Sequence, residues 1–346
     1  MTISVCMIVK NEEENLERAI ASLLGFADEL IIVDTGSIDS TKEIAHRYTE
    51  KVYDFEMNGD FSAARNYAFA RCTMDYIYTA DADEVIDLPS QQKILALKHA
   101  LPEDIEIVQM KYCNQLYLGS VYNYDMEYRP KLFRRLRPFR WIDPIHEIID
   151  TRVHVLDSQI EIIHMPKESH AERDFSAFAR VARPGHRLST RLHRLYAQEL
   201  YLAGKEEDFL NAYGYFEWTL HEEEFSDEEI KQSQCVVVKC SIIAGDTEGL
   251  FRAALKNAIG KPSAEVCCEL GRYYQSNGEF EEAAVWYYTA AFGAECELNV
   301  HCAGDLPLIG LAACYEELGK PSEAGKYRDM AEQWHDENIE PHPGRC

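Results

Sequence analysis

Four short polar runs, each following an apolar run, hold most of the residues in the first half of this sequence that could do chemistry. They are Lys10-Asn11-Glu12-Glu13 after Ile3–Val9, Asp34-Thr35-Gly36-Ser37-Ile38-Asp39 after Glu29–Val33, Asp60-Phe61-Ser62-Ala63-Ala64-Arg65-Asn66 after Lys51–Phe55, and Asp81-Ala82-Asp83-Glu84 after Tyr76–Thr79. All four carry carboxylates. If the apolar runs are strands of an open α/β sheet, ligands bind beyond their carboxyl ends, and the polar runs converge on one rim. Asp81 and Asp83, at i and i+2 on leaving a strand, can share one hard cation with water and phosphate oxygens. The Asp34–Asp39 run, Ser37 included, can hydrogen-bond a nucleobase or ribose. A second reading, compatible with the first, is that Asp39 or Ser40 caps the next helix.

The segments between these runs have helical spacing. Glu13–Leu24 places Leu16, Ile20, Leu23 and Leu24 on one face, and Ser40–Arg47, Ser62–Arg71 and Pro89–Ala100 read as further helices. Strand and helix in alternation predict βαβ units and a largely parallel sheet. Ile105–Tyr112, Tyr128–Phe133 and Ile160–His164 add strands that make the sheet mixed, so the first half reads as α/β and Rossmann-like.

Beyond about Pro166 helical patterns take over. Leu270-Gly271, Tyr274, Gly278, Ala283 and Ala290 are echoed by Leu311-Ala312, Tyr315, Gly319, Ala324 and Ala331, and Arg194–Leu220 reads as a degenerate copy. This is similar to the tetratricopeptide (TPR) pattern of paired antiparallel helices, in which small residues allow close approach, glycine turns the chain and tyrosine fills the seam. An ordinary helical bundle is the alternative. The expected division is 1–165 α/β, 166–193 a connecting helical segment, and 194–346 an all-α TPR-like repeat domain.

The chain has 346 residues, with 60 Asp and Glu against 35 Lys and Arg, a formal net charge of −25. That excludes nucleic-acid backbones as natural partners and makes any anionic substrate dependent on a local basic patch or a bridging cation. No apolar run reaches the length of a membrane span, and the N-terminal run reads as a buried strand rather than a signal peptide. The 11 cysteines include no C-x-x-C pair, which predicts reduced thiols and a cytoplasmic setting. Cys267-Cys268 reads as two small apolar helix residues rather than a metal or redox pair.

Taken in order, M-I-V-K-N-E-E-E-N-L, I-I-V-D-T-G-S-I-D-S-T, D-F-S-A-A-R-N-Y-A-F, T-A-D-A-D-E, R-P-K-L-F-R-R and W-I-D-P-I-H-E resemble the family 2 glycosyltransferases over about residues 3–165. The nearest subgroup in pattern is the small bacterial enzymes with helical repeats after the transferase domain, including those that modify bacteriocin peptides and those of the lipopolysaccharide core. The resemblance implies a GT-A fold, a UDP-sugar donor and inversion at the anomeric carbon. It implies that Asn11, Glu13 and Asp34 meet the uridine, with Ser37 beside them, that Arg65 approaches the donor, and that Asp81 and Asp83 hold Mn²⁺ or Mg²⁺ under the diphosphate. A divalent cation there neutralises the charge developing on the leaving group.

An inverting transfer also needs a general base near the acceptor. Asp143, His146 and Glu147, in Trp141-Ile-Asp-Pro-Ile-His-Glu147, are the candidates, with Glu147 favoured and His146 as its orienter or substitute. The alternative is that Glu147 only ties down a loop. His164, ending an apolar run, is expected as a third metal ligand beside Asp81 and Asp83. Of two basic clusters, Arg129, Lys131, Arg134, Arg135, Arg137 and Arg140 read either as a face for a diphosphate or acidic acceptor, or as a solvated strand edge. Arg187, Arg191 and Arg194 read as one helix face, either over donor phosphates or paired with acidic repeats.

The expected activity is metal-dependent transfer from a UDP-sugar to a peptide or protein side chain bound by the repeats. A cell-surface saccharide or lipid-linked acceptor is the competing substrate. A non-catalytic TPR-type binding scaffold is the alternative of another class. A nucleotidyltransferase would also use paired Asp, but no Gly-rich phosphate loop follows the first strand.

Overall fold

The computed structural model describes residues 1–102, 104–113, 126–149, 153–165 and 171–334. The start of the expected connecting segment, 166–170, and the end of the expected repeat domain, 335–346, lie outside the described residues. The chain divides into two compact units, Met1–His170 and Ala171–Cys346.

The first unit runs β1 (Ile3–Val9), α1 (Leu16–Leu23), β2 (Glu29–Asp34), α2 (Thr41–His46), β3 (Val52–Asp54), α3 (Phe61–Phe69), β4 (Tyr76–Ala80), β5 (Glu84–Val85), α4 (Leu88–Ala100), β6 (Ile107–Cys113), β7 (Met126–Arg134), β8 (Trp141–Ile142), β9 (Ile148–Ile149) and β10 (Val155–His164). Among the described residues the main sheet has the order β3-β2-β1-β4-β7-β6-β10-β5. β3, β2, β1 and β4 are mutually parallel, as the alternation predicts. β7 enters antiparallel between β4 and β6, β10 returns parallel to β6, and the two-residue β5 closes antiparallel on β10.

β1 is buried on both faces. Ile3, Val5, Met7 and Val9 pack with Leu16, Ile20 and Leu23 of α1 and Ile94 of α4. Cys6 faces the other way, with Ile31, Val33, Ile77 and Ala68 of α3. A strand covered on both faces reads as a continuous apolar run, which is why its polar continuation marks the sheet edge so clearly. β7 lies inside the sheet, so the strand-edge reading is corrected for the part of the basic stretch within it, where Lys131 and Leu132 are buried; Arg137 and Arg140, beyond the strand, are exposed.

The second unit comprises α5 (Ala171–Val181), α6 (Thr190–Ala203), α7 (Glu206–Thr219), α8 (Asp227–Ala244), α9 (Thr247–Ala258), α10 (Ala264–Ser276), α11 (Phe280–Phe292), α12 (Asp305–Glu317) and α13 (Pro321–Glu332). Gly278 and Gly319 turn α10 into α11 and α12 into α13 at φ 78° and 68°, a conformation that costs glycine little. Gly245, φ 70°, does the same between α8 and α9, a pair the sequence pattern did not reveal. Tyr287 fills the seam, and Tyr274 and Tyr315 pack against the same cluster, partly buried. A Cβ at Gly271 or Gly310 would stand 2.7 or 2.6 Å from the Tyr287 ring.

Arg187 precedes α6 and so cannot share a helix face with Arg191 and Arg194; it ion-pairs with Glu229 at 3.4 Å, and Arg194 with Glu228 at 3.4 Å. Cys267 and Cys268 are buried in α10, and the Cys268 thiol donates to the Cys302 carbonyl at 3.1 Å. Among the described residues no helix is long and apolar enough to cross a membrane.

Candidate active site

The loops after β1 and β2 are tied together by the residues that the resemblance assigns to the nucleoside. Asp34, 1% exposed, accepts the N–H groups of Gly36 and Ser37 at 2.9 Å, and Gly36 takes φ 98° to permit this turn. The Ser37 hydroxyl accepts the Asn11 N–H at 2.9 Å, and Asn11 Oδ1 accepts the Ile38 N–H at 2.9 Å. Glu13 accepts the Ser40 N–H at 3.0 Å. Asn11, Glu13, Asp34 and Ser37 are therefore brought together, as a pair of interlocked loops. The capping reading holds for Asp39, which accepts the Thr41 N–H at 3.0 Å; Ser40 stands at the N-cap position without a side-chain bond.

α3 supplies the next layer, and its sequence explains how. Asp60 caps its first turn by accepting the Ala63 N–H at 3.0 Å. Asn66 makes a two-way amide pair with the Trp141 backbone, both bonds 2.9 Å, and the Phe61 N–H donates to the Pro144 carbonyl at 2.9 Å. These bonds pin the Trp141–Glu147 loop to α3. Arg65, one turn into the helix, then spans two carboxylates: its Nε donates to Glu147 and its Nη2 to Asp81 at 3.0 Å, with the guanidinium 5.1 Å from the Trp141 ring centre. Burial disfavours its charge, but Asp81 and Glu147 outweigh that and hold it protonated above its ordinary range.

Asp81 and Asp83 diverge. Burial would raise the Asp81 pKa, yet Arg65 and Lys131 bring it well below the usual carboxylate range. Lys131 Nζ lies 3.9 Å from Asp81 and 2.5 Å from Glu84, and both Lys131 and Glu84 are nearly inaccessible. Burial, with Asp81 and Asp83 nearby, pushes the Glu84 pKa up despite its lysine partner. Asp83 instead meets His164, Oδ2 to Nε2 at 3.1 Å. The pairing of His164 with Glu84 across β10 and β5, and the bond from the Met165 N–H to the Asp83 carbonyl at 2.8 Å, set that juxtaposition. The Tyr112 ring lies against the His164 imidazole, centres 5.0 Å apart.

Asp143 and His146 sit in the turn between β8 and β9, next to Glu147. With Asn11 they are the non-glycine residues of positive φ among those described, at 69°, 48° and 55°. Such backbone is costly and concentrates where function holds it in place. The sequence reading missed one pairing at the site, that of Lys131 with Glu84. Lys131 stands in the sequence only as one of a basic stretch, readable as a ligand face or as a solvated strand edge, and Glu84 only as the last of the Asp81–Glu84 run, with no role assigned to either alone. The signal available for Lys131 was Pro130, a residue that an interior strand admits only at a bulge.

Residues 4–155 match the family model described as Glycosyl transferase family 2. A TPR repeat-containing protein of Synechococcus elongatus is 36% identical over 157 residues, 45% of this chain and 38% of that protein. The lipopolysaccharide core biosynthesis glycosyltransferase LpsC of Rhizobium meliloti is 30% identical over 135 residues, 37% of this chain and 47% of that one. The chain thus spans less than half the length of these relatives. Among solved structures, S. aureus TarS 1–349 in complex with UDP-GlcNAc aligns over 85% of this chain and 93% of that one, at 15% identity and a TM-score of 0.41, a likeness too loose to carry an argument. The family match, the interlocked loops and the mixed sheet agree with one another: residues 4–155 of this chain are similar to the family 2 glycosyltransferases and fold around a mixed sheet, and a helical region follows.

Proposed function

We propose that the protein is a metal-dependent, inverting glycosyltransferase that moves a sugar from a UDP-sugar to a peptide or protein side chain. The observation that carries the reading is the convergence, at neighbouring strand ends, of Asp83 with His164 and of Asp81 with Arg65 and Glu147. Asp83 and His164 suit a hard divalent cation, since they offer a carboxylate oxygen and an imidazole nitrogen 3.1 Å apart, neither of them fully buried. The charges agree: Arg65 and Lys131 pair with three carboxylates, those of Asp81, Glu84 and Glu147, while the Asp83 carboxylate has the His164 imidazole beside it, so acidic groups outnumber the basic side chains that pair with them. When bound, Mn²⁺ or Mg²⁺ supplies the charge that neutralises a departing diphosphate.

In this reading Asn11, Glu13, Asp34 and Ser37 form the floor for the nucleoside. Asp81 stays ionised and orients Arg65. Glu147 takes the proton from the acceptor nucleophile after exchanging Arg65 for it, with Asp143 and His146 shaping the turn beside it. We treat 1–165 as the catalytic domain, 166–193 as the connector and 194–346 as the region that recognises the acceptor. A reducing cytoplasm suits the ten free thiols described. The similarity to LpsC favours a second acceptor class, a lipopolysaccharide-core saccharide.

The test is calorimetric titration with UDP, UDP-glucose, UDP-GlcNAc, UDP-galactose and GDP-mannose, each with and without Mn²⁺. Metal-dependent binding of one UDP-sugar is expected. A folded sample that binds no nucleotide under either condition would sink the proposal and favour a scaffold.

A further inference from the structure

β7 loses register with β6 at one place. Leu132 pairs with Val108 and Pro130 with Gln109, so Lys131 is the extra residue of a β-bulge. A bulge leaves its residue outside the ladder and re-aims the side chain, and bulges gather beside active sites. Pro130 fits such a place because it has no N–H to give the ladder. The bulged side chain does not turn to solvent. Lys131 is 5% exposed, its ammonium 2.5 Å from Glu84 Oε1 and 3.9 Å from Asp81 Oδ2.

Glu84 reaches back in turn, accepting the Asp81 N–H at 3.2 Å, while the Glu84 N–H donates to the Asp81 carbonyl at 3.2 Å. The turn between β4 and β5, which carries Asp81 and Asp83, is therefore clasped by a buried ion pair from behind. Stability alone does not account for that pair, because an apolar pair of similar volume commonly serves a fold as well or better.

Resting on the function proposed above, we propose that Lys131 is a positioning residue of the transfer site: the bulge holds its ammonium between Glu84 and Asp81, fixing the Asp81–Asp83 turn in the form that accepts a metal–nucleotide complex. Lys131 acts through Asp81 and Glu84 and touches no reacting atom. Partners of this kind, one layer behind metal ligands, are worth about 10–100-fold in metal affinity.

The experiment compares the full chain with K131M and with the double variant K131M/E84Q, which removes both charges at nearly constant volume and leaves no buried charge unpaired. Thermal melting reads the fold. Free Mn²⁺, followed by its electron paramagnetic resonance signal, and calorimetry with UDP read binding. The expected result is a folded double variant whose Mn²⁺-dependent UDP binding is weaker by about 10–100-fold, with metal-free UDP binding little changed. A double variant that binds Mn²⁺ and UDP like the wild type overturns the inference alone. So does one that no longer folds, which makes the pair structural. A wild-type chain without Mn²⁺-dependent UDP binding overturns the donor-site reading, and this inference with it.

Discussion

Buried ionisable groups occur in both units and are held in different ways. In the helical unit Glu265 and His193 are held by backbone and hydroxyl groups. Glu265 is inaccessible, and its carboxylate accepts the N–H groups of Glu297, Leu298 and Asn299 at 3.2, 2.7 and 2.9 Å. His193 lies between the Tyr215 hydroxyl, 3.0 Å away, and the Glu229 carbonyl, 3.1 Å away. Such groups fasten a loop or a seam, and nothing about them invites a ligand. At the rim of the sheet, charge faces charge across elements far apart in sequence: Arg65 from α3, Lys131 from β7, Asp81 and Asp83 after β4, Glu147 beside β9 and His164 at the end of β10. Side-chain ion pairs can change partners when a cation or a diphosphate arrives. A carboxylate saturated by backbone N–H groups cannot do so without unfolding its loop. The type of partner, more than burial itself, separates a working site from a fastening.

The largest effect that this contrast predicts is at Asp83. Asp83→Ala removes one member of the carboxylate–imidazole pair without emptying a core position, since the side chain is only partly buried. Mn²⁺-dependent UDP binding should fall by more than about 100-fold, beyond the loss typical of residues one layer out. The melting temperature in the absence of metal should hardly move. Calorimetry and a thermal scan on the same sample check this. A large drop in melting temperature with binding intact would reassign Asp83 to the fastening class.

Glu265→Ala should show the reverse pattern. It strands three backbone N–H groups on the loop before α12, at about 1–3 kcal/mol for each one that water cannot reach. A loss of about 4 kcal/mol in urea unfolding is expected, with nucleotide binding by the remaining folded protein unchanged. Weakened UDP binding at full stability would break the contrast from the other side.

The two classes also differ in how far the sequence reveals them. β1, β2 and β4 were legible to within a residue or two, because strands covered on both faces are continuous apolar runs that end abruptly in polar residues. The rim carboxylates were legible for the same reason. Lys131 and Glu84 were not, because a cation in a basic stretch looks solvated until register buries it, and register is a long-range property. β5, two residues long, carries no periodicity, yet it is what sets His164 beside Asp83. In the helical unit the pairs with Gly278 and Gly319 share a spacing that can be matched. α8 buries Cys235, Val236, Val237, Val238 and Cys240 around much of its circumference, which hides the helical period and the Gly245 turn that follows.

The smallest of the three effects is also the most specific to the fastening class, and it appears as a pH dependence. Burial outweighs the nearby Glu229 carboxylate and lowers the His193 pKa from 6.5 to about 4, with Arg187 adding to the drop. The neutral ring donates Nε2–H to the Glu229 carbonyl and accepts from the Tyr215 hydroxyl at Nδ1. Because the folded pKa lies below the unfolded one, the unfolded chain binds the extra proton between these values, and stability falls as pH falls through that window. The contribution is fully present above about pH 6.5 and is lost progressively toward pH 4, about 3 kcal/mol in all. Replacing His193 by Gln removes the titration. Urea unfolding of both chains between pH 7 and pH 4 should therefore give a steeper decline for the wild type, and the two curves should converge at the acid end. Parallel curves would mean that folding leaves the affinity of the ring for its proton unchanged, and His193 would then not belong to the fastening class.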